Sequence, residues 1–340
     1  MKALRVVGPR KVEVQEVPDL VAGPGQILLD VERVGICGTD VELYTGEMAY
    51  YKTGRTTFPV QLGHEWTGRV TAVGDGVSSA WIGKRVTGDT MLGCTKCSRC
   101  VSGKTYLCDE RIELGITDGW GGALAEQMLI PEFYAHEVPD SISVAAAAMI
   151  EPGGNSLRTI RSAELKTGER ILILGAGTIG LLAAQFALAE GLDVTIASDR
   201  PGSLDLARTL GVQDVRTFDE LMNDVQREFH AVVDASTRET MPEIALNKVL
   251  PGGRVVLIGL SETPSMIDTR FTVLHDITIV GILSASPGLV GAIELFASGK
   301  VNPEPLVAEV VGFADVAERL EGRRGPHAGV GPKIQVDPRL

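Results

Sequence analysis

Between Ile171 and Ala189 an apolar run, a glycine loop and a second apolar run follow one another without interruption, and few folds accept that order. Ile171-Leu172-Ile173-Leu174 reads as a buried strand, and Leu181 to Ala189 reads as a buried helix. Between them Gly175-Ala176-Gly177-Thr178-Ile179-Gly180 has the spacing G-x-G-x-x-G. Gly175 permits a tight turn, Gly177 lets the backbone approach a pyrophosphate, and Gly180 lets the helix pack close to the strand. The helix N-terminus adds N–H donors and a positive dipole end. Asp199 lies nineteen residues beyond Gly180, at the end of the next expected strand, where a carboxylate accepts hydrogen bonds from ribose hydroxyls. That favours NAD. Arg200, next to it, offers a phosphate partner for NADP if the loop rearranges. A glycine-rich turn without a ligand, with Asp199 as a turn or cap residue, is the competing reading.

At 340 residues the chain exceeds what one growing core accommodates, so two domains are expected. Residues 1 to about 135 hold short β-like runs, such as Gln26 to Val31 and Arg69 to Val73, divided by Gly, Pro and Asp; this half reads as a barrel of short strands. From residue 152 strand and helix alternate, the mark of a doubly wound parallel sheet. Six strands are expected there: Ile171–Leu174, Val194–Ser198, Asp214–Phe218, Ala231–Ala235, Arg254–Gly259 and Ile277–Gly281. The alanine run Ala145 to Ala148 reads as a helix at the domain junction. From 286 a helix over Leu289–Ser298 and short strands, ending in Pro332-Lys333-Ile334-Gln335-Val336, are expected to rejoin the first domain. The expected division is 1–151, 152–285 and 286–340.

Thirty-two basic against forty-four acidic residues give a net charge of −12, which disfavours nonspecific binding to nucleic acid or an anionic membrane. With no signal-like N-terminus and no long apolar stretch, a cytoplasmic protein is expected. Four of the five cysteines, Cys94, Cys97, Cys100 and Cys108, fall within fifteen residues at the spacing C-x2-C-x2-C-x7-C. In a reducing compartment that cluster reads as a metal site. Four thiolates close a tetrahedron around Zn²⁺ and leave no open position, so the ion organises a loop. Iron–sulfur ligation is the competitor, but no second cysteine run and no Cys-Pro is present.

Two further motifs stand 27 residues apart, Gly35-Ile36-Cys37-Gly38-Thr39-Asp40 and Gly63-His64-Glu65-Trp66-Thr67-Gly68. Alone, Cys37 reads as a small buried hydrophobe and His64 as a core or surface imidazole. Together with the glycine loop and the cysteine lobe, their order along nearly the whole chain resembles the zinc-containing medium-chain dehydrogenase/reductase family of alcohol dehydrogenases, and within it the polyol and sugar dehydrogenases. The resemblance implies a GroES-like catalytic domain beside a Rossmann domain, and two zinc ions per chain. It implies catalytic zinc on Cys37 and His64, with Glu151 of Ile150-Glu151-Pro152 as the third ligand and Glu65 as its rival. One thiolate, one imidazole and one carboxylate offset Zn²⁺ and leave a fourth position open for an alcohol, whose proton the ion labilises.

The resemblance also implies that Thr39 accepts the alcohol proton and that Asp40 orients the imidazole. An ST-turn and a helix N-cap are the alternatives for these two. Several relatives carry a His five residues after the cysteine; this chain has Glu42, so its proton route outward differs. Residues 47–57, with Tyr50, Tyr51, Lys52 and Arg55, read as a solvated loop or as part of a substrate mouth, and Trp120 reads as core or as a cleft wall. The expectation is a hydride-transferring dehydrogenase acting on a secondary alcohol of a polyol, sugar or cyclitol, as a homodimer or homotetramer. A threonine-type hydroxy amino acid dehydrogenase and a non-catalytic dinucleotide-binding protein are the rivals.

Overall fold

The computed structural model describes residues 1–226 and 228–340. They divide into two compact units, one of Met1–Glu151, Val307–Gly329 and Lys333–Leu340, the other of Pro152–Leu306 and Val330–Pro332. The helix Leu289–Ala297 belongs to the second unit, so the chain rejoins the first at Val307, not at 286.

The first unit is organised by one long strand, Gln26–Ile36. Eleven residues rise about 36 Å, enough to serve different partners at its two ends. Glu65–Val73 pairs along most of one edge, while Gln127–Pro131 and Lys333–Val336 share the other. The resulting seven-stranded sheet closes over Ile27, Leu29, Val31, Val34, Trp66, Val70, Val86 and Ile130, all nearly inaccessible. Each fully buried side chain of this kind stabilises by about 1.5–3 kcal/mol.

The second unit holds six strands, all parallel: β1 (Arg170–Leu174), β2 (Asp193–Ala197), β3 (Asp214–Arg216), β4 (Phe229–Asp234), β5 (Val249–Leu257) and β6 (Thr278–Gly281). Their order in the sheet is β3-β2-β1-β4-β5-β6, that of a dinucleotide-binding fold. Runs such as Ile171–Leu174 are buried throughout, as parallel strands with both faces covered must be.

Two element boundaries differ from expectation for identifiable reasons. Phe218 does not extend β3, because Thr217 caps a helix over Phe218–Asn223: its Oγ1 accepts from Glu220 N–H at 3.2 Å, and Glu220 Oε2 accepts from Thr217 N–H at 2.7 Å. β5 begins at Val249 rather than Arg254; its pairing with β4 slips between Phe229 and Ala231, which absorbs Leu250-Pro251-Gly252-Gly253. The alanine run falls in a short helix over Val144–Ala147, followed by Ile150–Ser162. No described helix is long and apolar enough to cross a membrane.

Candidate active site

Strand register brings Cys37 and His64 together. Gly35 lies opposite Glu65 in the antiparallel pair, so the residues leaving one strand meet those entering the other. One ligand atom each of Cys37, His64 and Glu65 lie within 4.8 Å of one another. His64 and Glu65 are buried and Cys37 is half-buried. Cys37 is the N-cap of a helix over Gly38–Thr45, so Asp40 sits in its first turn and is not the N-cap itself. The Asp40 Oδ2 accepts from Cys37 N–H at 2.8 Å, and Oδ1 lies 3.5 Å from His64 Nδ1. Both of these facing atoms are buried and otherwise unpartnered. Burial opposes a charged His64, but Asp40 and Cys37 outweigh it and hold the imidazole pKa well above its usual value. A site that favours positive charge in this way also suits a cation, and thiolate, imidazole and carboxylate form a zinc donor set. Thr39 lies in the same helical turn and is half-buried.

Glu65 has a partner that the sequence did not reveal. Lys333 Nζ lies 2.8 Å from its Oε1 and 2.6 Å from its Oε2, and donates to Ile36 O at 3.0 Å. The two side chains are only 3% and 2% exposed, so the pair has almost no access to water. Burial alone would lower the lysine pKa, but Glu65, with Cys37 and Asp40 nearby, holds it above the ordinary value and keeps the ammonium charged. A Cβ at Gly35 would meet Glu65 Oε2 at 2.1 Å, so that glycine makes room for the carboxylate. Glu151 stays outside the three-residue cluster. It is buried in the first turn of the helix Ile150–Ser162, with its Oε1 3.5 Å from Thr90 Oγ1, which is also 3.5 Å from His64 O. Neither Thr90 nor Lys333 belongs to a motif; strand pairing locates Lys333, and Thr90 lies in the bend just before the strand Met91–Leu92.

The four remaining cysteines converge in a separate lobe, with their sulfurs mutually within 4.8 Å. Cys97 Sγ and Cys108 Sγ are 3.8 Å apart, far beyond a disulfide bond. That spacing matches the edge of a tetrahedron whose corners lie about 2.3 Å from a central zinc. Backbone N–H groups of Cys97 and Cys94 point at Cys94 Sγ and Cys108 Sγ, each at 3.4 Å, as donors to thiolates do. Gly93 permits the closure: a Cβ there would meet Cys100 Sγ at 2.7 Å.

In the second unit the glycine loop joins β1 to a helix over Thr178–Ala189, capped by Gly177. Gly175 has φ +102°, and a Cβ on Gly180 would meet Gly175 O at 1.9 Å. Nothing lies within 4 Å of a Cβ placed on Gly177, so that face of the loop is open to a ligand. Ile179 O accepts from Ser156 Oγ at 3.1 Å, which ties the loop to the helix at Ser156. Asp199 and Arg200 follow β2, with Arg200 the N-cap of the helix Pro201–Thr209. Asp199 forms an ion pair with Arg238, a residue that no sequence motif marks.

The segment 47–57 is in part solvated, with Lys52, Thr53 and Gly54 exposed, but it is not all loop. Ala49–Thr53 is a short helix, Tyr51 stacks on Phe58 with ring centroids 4.4 Å apart, and Tyr50 and Arg55 both reach the buried carboxylate of Glu113. A buried carboxylate collects whatever donors lie near it. Trp120 packs against the core of the first unit, its Nε1–H donating to Leu129 O at 2.8 Å.

Two family models match the chain: an alcohol dehydrogenase GroES-like domain over residues 23–140 and a zinc-binding dehydrogenase over residues 178–298. An L-threonine 3-dehydrogenase of Yersinia pestis (strain Pestoides F) is 34% identical over 291 residues, 83% of this chain and 84% of that protein. Among solved structures, a Sinorhizobium meliloti 1021 protein described as a zinc-binding dehydrogenase, with NADP bound, is 26% identical with a TM-score of 0.89 over 99% of both chains. Galactitol-1-phosphate dehydrogenase from Escherichia coli superposes with a TM-score of 0.87 over 99% of this chain and 100% of its own, at 24% identity, a likeness of fold.

Proposed function

Because the chain belongs to the zinc-containing medium-chain family of alcohol dehydrogenases, we propose that it oxidises a secondary alcohol of a polyol, sugar or cyclitol with NAD. It is an oxidoreductase acting on CH–OH groups. The observation that carries the reading is the convergence of Cys37 and His64 beside buried carboxylates.

Cys37 and His64 hold the catalytic zinc, and Glu151 is its third protein ligand. Charge supports that choice over Glu65: Lys333 already neutralises Glu65, so Cys37 and Glu151 are left to offset the dication. When bound, zinc supplies the Lewis acidity that lets an alcohol lose its proton near neutral pH. Asp40 faces His64 Nδ1 and fixes the ring so that Nε2 serves the metal. Thr39, one residue away, carries the hydroxyl that takes the substrate proton, and with Glu42 in place of a histidine the proton's route outward differs. Cys94, Cys97, Cys100 and Cys108 hold a second, structural zinc. Gly175, Gly177, Thr178, Ile179 and Gly180 receive the pyrophosphate of NAD, the hydride acceptor, and Asp199 receives the adenosine ribose. The working form is a homodimer or homotetramer.

A threonine-type hydroxy amino acid is the second reading for the substrate, favoured by the 34% identity to a threonine dehydrogenase. Both readings face one experiment, a panel of polyols, aldoses, cyclitols and hydroxy amino acids with the zinc-loaded protein, following reduced cofactor. NADH formation with a polyol or sugar supports the first reading, and threonine turnover alone supports the second. Two zinc ions per chain with no turnover anywhere in the panel would leave a binding protein.

A further inference from the structure

The adenosine end of the dinucleotide site carries more positive charge than a bare ribose requires. A hollow of about 250 Å³ opens where β1, β2 and β4 end, bounded by Gly177, Asp199, Arg200, Phe218, Thr237 and Arg238. Arg238 pairs with Asp199 across it and lies over the Phe218 ring, 5.3 Å from the centroid. The local sum of one carboxylate and two guanidiniums is +1, in a chain whose net charge is −12.

An unpaired carboxylate at this place rejects NADP, because it repels the phosphate on the ribose 2′-oxygen. Here that repulsion is offset before any ligand arrives. The pair is easily exchanged: its side chains are 53% and 43% exposed, and ion pairs in that setting hold by little. The ring of Phe218 supports the guanidinium where it stands. A guanidinium fork matches two phosphate oxygens, and Arg200 on the same wall supplies a second cation. We propose that this hollow accepts the 2′-phosphate of NADP as well as the free ribose of NAD, with Arg238 exchanging Asp199 for the phosphate. With NAD, Asp199 keeps Arg238 and takes the ribose hydroxyls on its remaining lone pairs; with NADP, Arg238 turns to the dianion.

This rests on the reading of the glycine loop as a dinucleotide site, and two fragments separate the claims. Calorimetric titration of the zinc-loaded protein with 5′-AMP and with 2′,5′-ADP, beside NADH and NADPH followed by fluorescence, reads binding without turnover. The two reduced cofactors are expected to bind within about tenfold of one another. Arg238→Gln removes charge-assisted hydrogen bonds to phosphate, so it should shift the NADPH-to-NADH ratio of dissociation constants by about 10–100-fold toward NADH. Arg238→Lys, which keeps the charge but not the fork, should fall between. Asp199→Asn should move the ratio the other way. Binding of 5′-AMP and NADH without 2′,5′-ADP overturns the proposal alone, and so does an Arg238→Gln variant that weakens both cofactors equally. Failure of all four ligands overturns the dinucleotide site as well.

Discussion

At Glu65 a buried carboxylate and a buried ammonium hold each other, and neither has water to fall back on. Removing one partner strands the other charge, so Lys333→Met should destabilise the chain by about 3–5 kcal/mol in urea unfolding. Adding Glu65→Gln to that variant removes the stranded charge and should restore most of the loss. Recovery in the double variant would separate electrostatics from packing; no recovery would mean that Lys333 matters for its volume. Asp40 acts differently, through the ring that it faces. Asp40→Asn keeps the acceptor to Cys37 N–H but gives up the negative charge opposite His64 Nδ1. Zinc affinity or turnover should fall by about 10–100-fold, with the far-UV circular dichroism unchanged. An unchanged metal affinity and rate would remove Asp40 from the site.

Among elements, the turn from β1 into the helix Thr178–Ala189 is a tight joint of the second unit. Gly180→Ala places a methyl where Gly175 O already stands, 1.9 Å away, so strand and helix must part. Overpacking of that kind costs about 1–3 kcal/mol, and melting should show it as a lowered Tm together with weaker NADH binding. A variant with wild-type melting and binding would mean that the loop has more freedom than its geometry implies. This joint was legible in the sequence because all its parts lie within twenty residues, and the cysteine lobe was legible for the same reason. Cys37 and His64 were legible as types but not as neighbours; the Gly35–Glu65 register makes them so. Lys333 and Arg238 were not legible. Each is an ordinary basic residue in the sequence, and each meets its carboxylate only when distant strands or strand ends come side by side. The Thr217–Glu220 cap is legible in the sequence as a T-x-x-E spacing, but the apolar Phe218 beside it also reads as the end of a strand.

For the whole molecule, the proposed reading gives one metal site to chemistry and one to folding, and their ligand sets predict how each gives way. In that reading the four cysteines would enclose one ion, so its binding energy would be folding energy for the lobe between Gly93 and Cys108. The other would have Cys37, His64 and one carboxylate, with a position left for substrate, and it should release its metal first. Stepwise chelation is therefore expected to abolish turnover at a stage where Tm is unchanged, and only afterwards to lower Tm. Cys37→Ala should reproduce the first stage and Cys97→Ala the second. Acid should act on the cysteine lobe in a predictable direction. Without metal, burial pushes Cys100 up to about 12, while backbone N–H donors bring Cys94 down to about 7. Zinc binding must expel the thiol protons, so falling pH favours the metal-free form, and the structural ion should leave faster at about pH 5 than at about pH 8. Simultaneous loss of both ions, with activity and Tm falling together at every chelator concentration, would show that the two sites do not behave as separate centres.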